Sequence, residues 1–191
     1  MSSFFFIRHG YTGIPVTKQE SDHSLNAIGR KQVNLLADRL KEYEIHQLVS
    51  SPFTRAKESA EIIAEKISGE ELSIDDRLKE IVVWSDPYEM LRDDDEIYKK
   101  TIQEMTRFKS VFSDLLSDYA TSEHCNTCFV THGNLIRAFV MTAFQLPDYS
   151  ITKMRVSHAS ISVITKIDND EGDYFVLDRF NDTAHLEDMR V

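Results

Sequence analysis

Cysteine is almost absent, with two residues in 191, Cys125 and Cys128. That excludes a disulfide-stapled scaffold. The two form a lone Cys-x-x-Cys in His124-Cys125-Asn126-Thr127-Cys128, with no second pair to complete a zinc site. Cys128 leads into the apolar run Cys128-Phe129-Val130 rather than a helix, so redox catalysis is not expected. Both are read as loop and strand residues of a reducing cytoplasm. Glycine (6) and proline (4) are scarce, which argues against long disordered or collagen-like stretches. No apolar run approaches the ~18 residues of a membrane span. The first apolar run, Phe4 to Ile7, is stopped by Arg8, and no export signal is read there. A cytoplasmic location is therefore the expectation. Positive charge is in deficit: 22 Lys and Arg against 32 Asp and Glu leave a net charge of −10. The average field therefore repels phosphates, which argues against nucleic acid or an anionic membrane as partner.

Hydrophobic residues make up 41% of the chain, enough for a core without staples. Phe4 to Ile7 fits a strand buried on both faces. Gly10 and Gly13 mark a loop running to about Ser24. Asn26 is placed to cap a helix with Ile28, Leu35, Leu36, Leu40 and Tyr43 on one stripe. Gln47 to Val49 reads as a second strand, and Ser51-Pro52 as a helix start with a capping hydroxyl. The next helix puts Ala56, Ala60, Ile63, Ala64 and Ile67 inward, and Leu72 to Ile74 is a short third strand. Asp86 to Tyr119 is helical and charged, with Phe108, Val111, Phe112, Leu115, Leu116 and Tyr119 on its packed face. The acidic run from Asp93 to Glu96 is read as a solvated face or a helix start. Cys128 to Thr131 is a strand, followed by a helix with Leu135, Ile136, Phe139, Val140 and Ala143. Ile161 to Ile167 and Tyr174 to Phe180 pair across a turn. The expectation is an α/β fold: a three-layer α/β/α sandwich in one domain spanning 1–191, with a largely parallel central sheet.

The strand ends are the informative part. The first strand ends in Arg8-His9-Gly10, the fourth in Thr131-His132-Gly133-Asn134. The second ends in Ser50-Ser51-Pro52, with Thr54 and Arg55 just beyond. Ligands of open α/β sheets bind at the carboxyl ends of strands. If these strands are neighbours, two histidines, two arginines and a helix N-terminus share one crevice. Such a set suits a phosphate or carboxylate. Each piece alone is commonly structural; strand, His-Gly and helix occurring twice is not. A neutral imidazole is a good nucleophile toward phosphorus, and nearby arginines favour the neutral form. Arginines also stabilise phosphoryl charge without a metal. An acid for the leaving oxygen is available in Glu80, although position alone does not choose it.

Arg8-His9-Gly10-Tyr11-Thr12 after a strand resembles the signature of the histidine phosphatase superfamily, the phosphoglycerate-mutase-like proteins. Leu25 to Gln32 is similar to the family's Leu-Thr-x-x-Gly-x-x-Gln segment. Ser50 to Ala56 resembles its second phosphate-binding segment, Leu78-Lys79-Glu80 the segment of the acid, and Thr131 to Arg137 the second histidine segment. Asn181 to Leu186 resembles the tail of the small broad-specificity phosphatases. The resemblance implies a hydrolase, a phosphatase acting on a phosphomonoester through a phosphohistidine at His9. It implies Glu80 as proton donor, phosphate or substrate binding by Arg8, Thr12, Arg55, His132 and Gly133, no metal and no cofactor. The partner expected is a small phosphorylated metabolite, and a homodimer is left open.

Three departures set the substrate apart from the glycolytic mutases. Pro15 stands where mutases place an Asn. The Ile81-to-Tyr88 stretch lacks their Gly-x-Trp-Glu-Gly pattern, and no Gly-Glu-Ser precedes Arg107. Residues 84–107 are expected to form a helical lid insertion over the carboxyl ends of the strands. The rivals are a cofactor-primed mutase, a noncatalytic phospho-ligand binder, and a metal hydrolase ligated by His9, His132 and Glu80. Arginines beside the ion disfavour the last. His23 and His46 are expected exposed, His124 in a loop, and His185 structural. His158 could line the pocket, with a structural role as the default.

Overall fold

The computed structural model describes residues 1–15, 20–67, 71–81, 96–120, 125–167, 169, 172, 174–187 and 189. Its strands are β1 (Ser2–Arg8), β2 (Gln47–Ser50), β3 (Leu72–Ile74), β4 (Asn126–Thr131), β5 (Ile161–Ile167) and β6 (Tyr174–Asp182). Its longer helices are α1 (Ala27–Leu40), α2 (Thr54–Ala64), α3 (Glu96–Tyr119) and α4 (Gly133–Ala143). The strands form one six-stranded sheet in the order β3-β2-β4-β1-β5-β6. The first four in that order run parallel, and β5 and β6 close the sheet as an antiparallel hairpin.

The unbroken apolar run of β1 is explained by its place. Phe4 and Phe6 point into the layer built by α3 and α4, against Phe108, Phe129 and Phe139. Phe5 and Ile7 point into the opposite layer, against Val33, Leu36, Ala56 and Ile63 of α1 and α2. A strand covered on both faces by crossover helices has no solvent side to mark with polar residues. The expected α/β/α sandwich with a mostly parallel sheet is the fold observed.

Three local expectations are corrected. Asn26 does cap α1, accepting the Gly29 N–H at 2.9 Å. The buried stripe of α1, however, is Gln32, Val33, Leu36, Ala37 and Leu40, while Ile28 and Leu35 are exposed. Those two are seven residues apart, so they share a flank one position off the contact line. α2 starts at Thr54, with Phe53 at its cap and no side-chain capping bond. Ser51 is not a cap, because its hydroxyl is turned toward His132. Cys128 lies mid-strand rather than at a strand's start, since β4 begins at Asn126. Both cysteines are buried and free, and burial pushes the Cys128 thiol up to about 12.

Of the expected lid, residues 84–95 lie outside the described residues, as does His124. Residues 96–107 form the first half of α3, where Met105 is already in the core and exposed Arg107 pairs with Glu104. Among the described residues no helix is long and apolar enough to cross a membrane.

Candidate active site

Register puts the pieces side by side. Arg8 pairs with Thr131 across β1 and β4, and Ser50 pairs with Val130 across β2 and β4. The next residues along the chain, His9, His132 and Ser51, therefore leave three adjacent strands at the same edge. The exit from β1 is held on every side. The His9 N–H donates to Thr131 O at 3.0 Å, and the Ala159 N–H donates to Arg8 O at 3.0 Å and His9 O at 3.2 Å. The Gly10 N–H donates to Ser59 Oγ at 3.1 Å, and the Tyr11 N–H to Gln32 Oε1 at 3.0 Å. The first turn of α1 presses on this loop so closely that a Cβ at Gly29 would lie 2.1 Å from Tyr11 O. Ala159 takes a left-handed φ of 51° to make its contact, and His185 Nε2–H ties its carbonyl at 2.8 Å. His185 is thus structural, as expected.

His9 is 1% exposed. Its Nδ1 lies 2.8 Å from Gly10 O, an atom that only accepts, so Nδ1 carries the ring proton. Nε2 is then the atom with a lone pair, and it accepts from Arg55 Nε at 3.1 Å. Burial, then the neighbouring His132, Arg8, Arg55 and His158, holds the His9 pKa well below the usual histidine range. At neutral pH this is an uncharged imidazole with its free electron pair directed at an arginine.

The cations around it are locked by carbonyls. Arg8 donates from Nη1 to Val156 O at 2.6 Å and from Nη2 to His158 Nε2 at 2.8 Å. Arg55 donates from Nη1 to Glu20 O at 2.7 Å and lies over the Phe53 ring, 5.1 Å from its centroid. Burial lowers the Arg8 pKa to about 10, against the pull of Glu80. His132 stands at the cap position of α4, its ring 5.2 Å from that of His9. Burial and then the two arginines lower its pKa well below the ordinary value. Two buried nitrogens of this set, Arg8 Nε and His132 Nδ1, have no hydrogen-bond partner among the described residues. A Cβ at Gly133 would sit 3.4 Å from Arg8 Nε, so the guanidinium lies within contact distance of the start of α4.

Glu80 is drawn to the same place. Its Oε1 accepts from Ile81 N at 3.1 Å and from Leu135 N, in the first turn of α4, at 3.2 Å. Asn134 Nδ2 donates to Ile81 O at 3.0 Å and Thr131 Oγ1 to Leu78 O at 2.8 Å, strapping residues 78–81 to β4 and α4. Burial raises the Glu80 pKa, while Arg8, the backbone N–H groups and Arg55 oppose it. Thr12 is buried in the loop after His9, its hydroxyl accepting the Ile14 N–H at 3.2 Å.

Every predicted site residue therefore lies along this edge of the sheet. The structure brings His158, the histidine that could line the pocket, to 5.5 Å from the His9 ring and 5.2 Å from Tyr11. It adds Ser51 and Phe53, which touch His132 from β2's side. Ser51 was legible in one respect: it ends the strand beside the one that ends in His132. His23, expected exposed, is half-buried, and its Nδ1 accepts the N–H of Glu20, the residue whose carbonyl holds Arg55. His46 is exposed, as expected. Among the described residues no group of three or more His, Cys, Asp or Glu is placed to hold a metal.

Comparison with known proteins identifies the family. The family model of the histidine phosphatase superfamily (branch 1) matches residues 4–183. A probable phosphoglycerate mutase, GpmB, of Yersinia enterocolitica is 26% identical over 98% of this chain and 96% of its own. A mycobacterial glucosyl-3-phosphoglycerate phosphatase, solved with vanadate, superposes with a TM-score of 0.76 at 20% identity, covering 94% of this chain and 98% of that one. A phosphoserine phosphatase from Entamoeba histolytica gives 0.75 at 21% identity over 97% and 100% of the two chains. With a match spanning all six strands and the three loops that gather His9, Arg55 and His132, the chain belongs to branch 1 of the histidine phosphatase superfamily.

Proposed function

We propose that the protein is a metal-independent phosphatase that hydrolyses a small phosphomonoester through a phosphohistidine at His9. The observation that carries this reading is the state of His9: a proton on Nδ1 tied to Gly10 O, and an Nε2 lone pair facing Arg55. In the first step Nε2 attacks phosphorus and the bond to the leaving oxygen breaks. That oxygen takes the proton of Glu80, whose raised pKa suits an acid. The ring gains positive charge as the N–P bond forms, and the Gly10 carbonyl at its Nδ1–H stabilises it. Arg8, Arg55 and His132 hold the phosphoryl oxygens. In the second step Glu80, now a carboxylate, takes a proton from water as the water oxygen attacks phosphorus. The N–P bond breaks, its electrons return to Nε2, and inorganic phosphate leaves.

Relatives named as phosphatases support the hydrolytic reading, and the GpmB relatives keep a mutase as the second one. In a mutase phospho-His9 would pass its group to a second hydroxyl instead of water. Pro15, in the loop after His9, offers no side-chain donor where mutases carry an Asn. Rapid quench with a 32P-labelled phosphomonoester tests the proposal. The expected label is acid-labile, base-stable, absent from His9→Asn and unaffected by chelator, and it turns over to inorganic phosphate without added bisphosphate. Label retained in His9→Asn, or activity lost to chelator and restored by magnesium or zinc, would overturn it. Activity only in the presence of a bisphosphate would establish the mutase.

A further inference from the structure

We infer that Ser51 sets the tautomer of His132: its hydroxyl donates to Nε2, which leaves the imidazole proton on Nδ1 as a donor to the phosphoryl group. The inference rests on the phosphoryl-site reading above and adds a positioning residue to it. It comes from accounting for hydrogens. Ser51 Oγ and His132 Nε2 are 2.8 Å apart, and both residues are fully buried. Ser51 Oγ also lies 3.4 Å from Phe53 N, and an amide N–H only donates. The serine main chain is fixed as well, its N–H donating to Val130 O at 2.9 Å.

Two assignments are open to this trio. If His132 Nε2–H donated to Ser51, the hydroxyl would accept twice and its own hydrogen would meet no acceptor among the described residues. His132 Nδ1 would then be a bare lone pair, buried beside Arg8 and His9, where it would repel an anion. If Ser51 donates to Nε2, its hydroxyl accepts from Phe53 and donates to His132, with nothing left over. The group that remains unpartnered is then Nδ1–H, a donor beside the nucleophile. Buried polar groups are satisfied in folded proteins, and exceptions concentrate where a ligand completes them. The neutral state the arrangement requires is the one that burial and the two arginines favour. The Phe53 ring packs edge-on against the imidazole, 5.1 Å between centroids.

The direct test is long-range 1H–15N correlation on the 15N-labelled protein at neutral pH. The expected His132 pattern is a protonated Nδ1 and an unprotonated Nε2; a protonated Nε2 would overturn the inference with no variant needed. Ser51→Ala should mix the two tautomers and weaken binding of inorganic phosphate about tenfold or more, whereas Ser51→Thr keeps both within about threefold. Phosphate binding by Ser51→Ala should recover toward acid pH, because an imidazolium donates from both nitrogens; a merely structural loss would not recover. Unchanged phosphate affinity in Ser51→Ala would also overturn it. Because the tautomer is read without turnover, it separates from the phosphohistidine reading. A missing phospho-His9 with the assigned tautomer sinks the latter alone.

Discussion

Glu80, proposed above as the proton donor, is a carboxyl set among arginines. Burial pushes its pKa up, and Arg8, with its guanidinium nearby, pulls it down. A bound phosphate dianion neutralises the arginines and adds a like charge, so the raised state is reinforced when substrate is present. Replacing Glu80 by Gln should slow hydrolysis of an alkyl phosphate by ~10²-fold or more, since an alkoxide leaves poorly without a proton. It should slow p-nitrophenyl phosphate far less. Single-turnover phosphorylation of His9 with both esters checks this, and equal slowing would remove Glu80 as the acid. At this scale the sequence was legible wherever a residue type is tied to a strand end: Arg8, His9, Arg55 and His132 stand where Arg-His-Gly, Ser-Pro-x-x-Arg and Thr-His-Gly placed them. The partners that tune them were not. Ser51 looks like a helix cap in one dimension, and only the adjacency of β2 and β4 reveals that its hydroxyl serves a histidine 81 positions away. His158 likewise reaches Arg8 from 150 positions away, a distance that no local pattern encodes.

Elements were read well where packing is two-sided and less well where one face had to be chosen. β1 and β4 are buried along their apolar runs, so such a run suffices to locate them. α1 required a choice of face, and counting apolar residues selected Ile28 and Leu35, while the structure selects the side that carries Gly29. That glycine decides the docking of the helix. Helix propensity would favour Ala there by about 1 kcal/mol. A Cβ, however, would meet backbone atoms of Tyr11 at 2.1 and 2.6 Å, and backbone of a fixed loop does not yield cheaply. Gly29→Ala is expected to cost about 1–3 kcal/mol net. It should also lower kcat on p-nitrophenyl phosphate by about 10²-fold, because the loop that must move carries His9. Asn26→Ala, in the same turn, serves as the comparison: it loses a cap worth about 1 kcal/mol and leaves kcat within a few-fold. Urea unfolding and initial rates on the two variants check both halves; equal kcat values would detach α1 from the site.

For the molecule as a whole, the buried histidines make folding depend on pH with a definite sign. His9 and His132 have depressed pKa values, and half-buried His185 adds to the same effect. Above an unfolded pKa of about 6.5 neither state binds a proton and stability is flat. As pH falls below that, the unfolded chain takes up protons that the folded protein refuses. Stability then declines by about 1.4 kcal/mol per pH unit for each such histidine, until its folded pKa is reached. Glu80 runs oppositely: its raised pKa contributes stability that is complete below about pH 4.3 and is lost as pH rises through the folded value. As pH falls from the folded value of Glu80 toward about 4.3, this carboxyl therefore offsets part of what the histidines lose. Urea midpoints at pH 7.5 and 5.5 should show a clear loss in the parent and a shallower one in the His9→Asn, His132→Asn double variant. Identical slopes would show that these rings are not held neutral. The sheet itself has a further consequence. Because Phe4 to Ile7 is apolar on both faces, alternation of polar and apolar residues does little to forbid a one-residue slip of β1 against β4. What such a slip would ruin is the alignment of Arg8 with Thr131, and with it the meeting of His9 and His132. Enzymatic competence and strand alignment are thus a single property of this chain, and a population that has folded one residue out of step is betrayed by its silence rather than by its shape.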